Sequence, residues 1–155
     1  MELKFQLHVK IQKPIEQVFD AVYNPKKITQ YFATESASAP LDEGMRVIWR
    51  FADYPGDVPV SVKKMVPNEL ILLEWEAGDG GYNTHVEMRF EALSEDETLI
   101  TISEGNWSEN QKGLNASYGN CYGWMHMSCC LKAYLEHGIK LREGFFHNPK
   151  LANHE

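Results

Sequence analysis

One stretch constrains this chain more than any other: a helix-periodic run from about Ala116 to His137, placed after a long series of strand-like segments. On its helical wheel Trp124, Met127, Cys130, Leu131, Tyr134 and Leu135 share one arc, while His126, Lys132, Ala133, Glu136 and His137 fall on the other side. Gly138 follows as a left-handed cap. A helix with a single apolar arc needs a second layer to bury it. The preceding residues offer one.

Leu3, Phe5, Leu7, Val9 and Ile11 alternate with polar residues, the period of a strand with one buried face. Pro14 opens a short helix over 15–23 with an apolar stripe of Ile15, Val18, Phe19 and Val22, and Asn24-Pro25 ends it. A second short helix is expected over 26–32, packed through Ile28, Tyr31 and Phe32. From Gly44 the period is two again. Met45, Val47, Trp49 and Phe51 lead into an expected turn at Tyr54-Pro55-Gly56-Asp57, and strands follow around Val58–Val62, Leu70–Glu76, Tyr82–Leu93 and Thr98–Gly105. Five strands joined by short links make an antiparallel meander.

The order strand, two short helices, strand meander and long helix predicts an α+β fold in which a curved antiparallel sheet wraps around the C-terminal helix. The opening strand with Pro14-Ile15-Glu16-Gln17-Val18-Phe19-Asp20-Ala21 carries a family resemblance, as do Val66-Pro67-Asn68-Glu69-Leu70-Ile71-Leu72-Leu73-Glu74-Trp75 and Gly123-Trp124 leading to Leu131–Gly138. On these residues the chain resembles the SRPBCC, or START-like, superfamily with its helix-grip (birch-pollen-allergen-like) fold. Within it, the chain most resembles the branch similar to the C-terminal domain of the activator of the heat-shock-protein-90 ATPase. The resemblance spans residues 3 to 138 in element order and implies a single domain over 1–155 with a tail from 139. It also implies a ligand cavity between sheet and helix.

The length of 155 residues suits one domain, and 43% hydrophobic with 24% charged residues is globular composition. A net charge of -7 argues against nucleic acid or an anionic membrane surface as partner. The N-terminal residues alternate without an apolar signal stretch, and no segment approaches the roughly 20 apolar residues of a membrane span, so a cytoplasmic protein is expected. Cys121 and Cys129 are too far apart along one helix to form a disulfide, and reduced thiols are the simpler reading.

Candidate ligand-binding residues follow from the inward faces. Trp49, Trp75, Met88, Trp124 and Met127 either line a cavity for a small hydrophobic or lipid-like molecule or pack as ordinary core. Glu104 is in phase with Ile100 and Ile102, which aims its carboxylate inward, unless the strand end lifts it to water. An inward carboxylate suits binding a polar ligand group or acting as a base. Tyr82, Thr84 and Tyr118 are further polar candidates at the same mouth. His126, Cys129 and Cys130 have ligand spacing on one helix but no second cluster, so no metal and no cofactor is expected. No nucleophile elbow, P-loop or dinucleotide fingerprint is present, and no catalytic residue is assigned. Three functions remain open: a ligand-binding module, a chaperone-associated protein that stimulates a heat-shock ATPase in a stress response, and a polyketide cyclase or aromatase type of enzyme with Glu104 as base. The last two are what the resemblance implies.

Overall fold

The computed structural model describes residues 1–147. Seven antiparallel strands form one sheet: β1 (Lys4–Ile11), β2 (Ser36–Ala37), β3 (Arg46–Phe51), β4 (Tyr54–Val66), β5 (Leu70–Glu76), β6 (Asn83–Ser94) and β7 (Glu97–Gly105). Their spatial order is β1-β7-β6-β5-β4-β3-β2, so β2 to β7 make a simple meander and β1 closes against its last strand. Helices α1 (Ile15–Tyr23) and α2 (Pro25–Ile28) follow β1, and α3 (Gln111–His137) lies across the sheet. This is the helix-grip α+β arrangement expected from the order of elements. Its core includes Ile71 and Leu73 of β5, Met88 of β6 and Ile102 of β7, in one buried cluster with Met127 and Leu131 of α3.

Several boundaries differ from expectation for local reasons. The β3–β4 turn is at Ala52-Asp53, because Phe51 pairs with Tyr54, and the expected turn residues Tyr54–Asp57 instead begin β4 and span a register shift opposite Arg50/Phe51. The two-residue β2 is too short to carry a period in sequence. Helix α2 ends at Ile28, where the Thr29 hydroxyl donates to the Pro25 carbonyl. Tyr31 and Phe32 are nevertheless buried, and the Tyr31 hydroxyl donates to the carbonyl of Ala21 at 2.9 Å. Burial raises that phenol well above its usual pKa.

Helix α3 begins at Gln111, five residues before the apolar period starts. The Asn110 side chain caps it by accepting from the Gly113 N–H at 2.9 Å. At the other end Gly138 takes φ 64°, and its N–H returns to Tyr134. The helix also covers the free edge of β1: Lys132 donates to the Lys10 carbonyl at 2.8 Å, and Glu136 accepts from the Gln12 N–H at 3.3 Å. An edge satisfied in this way is withdrawn from pairing with other chains.

Candidate functional site

Strict alternation along β7 buries Ile100, Ile102 and Glu104 on the same side, and Glu104 is only 2% exposed. The lift to water at the strand end does not occur. Four neutral donors surround the carboxylate instead. Oε2 accepts from Trp75 Nε1 at 2.8 Å, Thr84 Oγ1 at 2.6 Å and Asn120 Nδ2 at 2.9 Å, while Oε1 accepts from Trp124 Nε1 at 2.8 Å. An ionised carboxylate is an acceptor with about four lone-pair sites, so this set of donors fits it. Each bond gains strength from the charge. The donors come from β5, β6 and α3, so one side chain ties the helix to the sheet.

This arrangement fixes the indoles. With both N–H groups directed at Glu104, Trp75 and Trp124 are held with ring centroids 5.3 Å apart. Phe32 stacks on Trp124 at 5.7 Å and meets Phe51 edge-on at 5.0 Å. Together they form an aromatic wall whose polar handles are already used.

In front of that wall is a cavity of about 460 Å³, within the range of small-molecule sites. Its sides are the β3–β4 turn, the end of β5 and the middle of α3. Gly119 and Gly123, one turn apart on α3, form part of its lining. A Cβ on either would meet nothing within 4 Å, so packing does not require glycine there. Glycine inside a helix costs about 1 kcal/mol relative to Ala. What the two glycines provide is space.

Polar groups sit at the mouth. Arg142, from the segment after α3, lines the cavity and makes a two-pronged ion pair with Asp53 of the β3–β4 turn, at 2.7 and 3.0 Å. His126 is buried beside it, and burial, then the Arg142 charge, lowers its pKa. Its ring lies 3.6 Å from Cys130 Sγ, and burial pushes that thiol up to about 11. Such a thiol stays protonated and is a poor nucleophile. Among the described residues no three His, Cys, Asp or Glu side chains converge as a metal site.

Of the residues expected around a ligand, Trp75 and Trp124 line the cavity. Glu104 and Thr84 stand behind them as supports. Trp49, Met88 and Met127 are fully buried in the packed core and do not reach the cavity. Tyr82 lies elsewhere, its hydroxyl donating to Asp79 and accepting from the Ser108 N–H. Tyr118 points to solvent, 64% exposed. His126, assigned to the outer side of the helix, is buried because Phe145 and Phe146 cover it. Asn120, Phe32, Phe51 and Arg142 were missed. Asn120 had a signal, since it precedes Trp124 by four residues and so shares its helix face. Arg142 had none.

Solved structures share this architecture. Protein SSP2350 from Staphylococcus saprophyticus is 27% identical, with TM-score 0.76 over 90% of this chain and 96% of that one. The Aha1 dimer from Colwellia psychrerythraea is 19% identical, with TM-score 0.73 over 88% and 98% of the two chains. PFC0360w, an HSP90 activator from Plasmodium falciparum, is 14% identical, with TM-score 0.71 over 88% and 96%. A comparison with curated proteins finds no match. Residues 12–136 match the family described as activator of Hsp90 ATPase homolog 1-like protein. With its fold and most of its length accounted for in this way, the chain belongs to that family.

Proposed function

We propose that this protein binds a small hydrophobic or amphipathic molecule, flat enough to stack, in the cavity between α3 and the sheet. One observation carries the reading: two indoles pinned by a buried carboxylate face a space that two helix glycines leave open without any packing need. Stacking on fixed aromatic faces gives contact area at little entropic cost, because the rings are already ordered. Asn120 and the Arg142–Asp53 pair offer polar contacts at one end, which suits an amphipathic ligand. Glu104 does not line the cavity and already accepts from four donors, so it supports the wall better than it would serve as a base.

The test uses the neutral fluorophore N-phenyl-1-naphthylamine. It should bind saturably and quench indole emission, and Gly123→Leu, which fills the cavity from the helix side, should weaken binding about tenfold or more, equivalent to ~1.4 kcal/mol. Unchanged affinity in a folded Gly123→Leu protein would sink the proposal.

The family match, together with the likeness to an HSP90 activator, favours a second reading. In it the chain docks on a chaperone and stimulates its ATPase in the cytoplasm. Addition of the protein to a purified Hsp90-type chaperone should then raise the rate of ATP hydrolysis; an unaltered rate at saturating protein argues against this role.

A further inference from the structure

Beyond Gly138 the chain turns back over the mouth of the cavity. The described part of this segment makes backbone hydrogen bonds within itself, from Glu143 N–H to the Lys140 carbonyl and from Phe145 N–H to the Arg142 carbonyl. Side chains fasten it to the body. Arg142 is 11% exposed although neighbouring Leu141 and Phe145 are 39% and 47% exposed. Its guanidinium grips Asp53 in the fork geometry and lies 5.0 Å from the Phe51 ring centroid and 5.4 Å from that of Phe32. On the helix side, His126 lies 4.1 Å from Phe145 and 4.7 Å from Phe146 between ring centroids. The segment therefore bridges α3 and the β3–β4 turn, two of the sides of the cavity. Its Arg142, Phe146 and His147 are part of the lining.

We propose that residues 139–147 are a roof over the cavity, latched by the Arg142–Asp53 pair, and that a ligand enters and leaves when the latch opens. The proposal rests on the reading of this cavity as a ligand site. The family match ends at residue 136, so the roof lies outside the matched span. The fastening suits a moving part. The roof is fastened to the body through side chains and not through a sheet ladder, and a segment held in this way opens at lower free-energy cost than the core. When the latch is closed, Arg142 lies against part of the Phe32 and Phe51 rings, and its withdrawal exposes more of both to the cavity.

The test compares the full-length protein with Arg142→Ala and with Phe145→Ser/Phe146→Ser, which loosens the roof from the helix side. Two quantities are read. The change in acrylamide quenching of indole emission between variants, without any ligand, reports access to Trp75 and Trp124, since Trp49 and Trp107 are outside the cavity lining. Stopped-flow mixing with N-phenyl-1-naphthylamine gives association and dissociation rates. Either variant should raise the quenching constant severalfold, and both probe rates should rise about tenfold while the affinity changes less, as expected when opening limits exchange. Arg142→Lys, which keeps the charge but loses the fork, should fall between. Quenching and rates that stay within twofold of the unaltered protein in both variants overturn the roof. Should the probe bind to none of the proteins, the ligand reading fails, and the acrylamide measurement alone decides whether the segment covers the cavity.

Discussion

Replacing Glu104 by Gln exchanges an acceptor oxygen for an amide nitrogen that only donates. The indole N–H groups of Trp75 and Trp124, the Asn120 amide and the Thr84 hydroxyl would then crowd a group unable to accept from all of them. Glu104→Gln should lose about 2–4 kcal/mol of stability, given the loss of charge-assisted bonds and the buried donors left unsatisfied. Urea unfolding followed by far-UV circular dichroism measures this; a loss below about 0.5 kcal/mol would show that the network contributes little. The direction of Glu104 was legible in the sequence because alternation from Ile100 and Ile102 carries it inward. Its partners were not legible as a set. They lie 29, 20 and 16 residues away in the cases of Trp75, Thr84 and Asn120, and a period along one strand says nothing about which side chains converge from others.

At the scale of elements, the start of α3 depends on contacts rather than on an apolar stripe. A Cβ on Gly113 would lie 1.9 Å from the Ser108 carbonyl oxygen, so the turn before the helix closes tightly against its first residues. Asn110→Ala should cost about 1 kcal/mol through the lost cap. Gly113→Ala should cost more, because backbone must move, and thermal unfolding of the two variants checks that order. In the sequence the helix is legible only from about Ala116, because Gln111, Lys112 and Asn115 break the apolar period. The strands are more legible in the sequence, since β3, β7 and the first part of β6 bury alternate residues. The β3–β4 turn differs from expectation because Pro55 and Gly56 are typical turn residues, whereas here they are the unpaired residues of a bulge within the strand.

The whole molecule should respond to acid through His126. Arg142 from the roof and Asp53 from the β3–β4 turn act on it, and Cys130 touches it within α3. Burial, reinforced by Arg142, lowers its pKa below the ordinary 6.5, so in the interval below 6.5 the unfolded chain binds more protons than the folded one. Stability contributed by the neutral ring is full above that value and is lost as the pH falls through the lower, folded value. Between about pH 7.5 and pH 5.5 the urea midpoint should therefore drop, and His126→Leu should flatten this slope relative to the unaltered protein. An equal slope in both proteins would place the response elsewhere. No local period announces this site, because the rings that bury His126 come from a segment with no regular pattern of its own.

The sheet order also sets a timetable for folding. β2 to β7 can pair as each successive strand emerges, but Lys4 pairs with Gly105 and Ile11 with Thr98, so the first strand made is the last to be paired. At synthesis rates of about 5–20 residues per second, β1 waits roughly 5–20 s for its partner to be made, with Leu7 and Ile11 as yet uncovered by the sheet. Closing so large a loop comes late and slowly. During translation, the N-terminal strand is thus open to capture by other chains until β7 pairs with one edge and α3 covers the other.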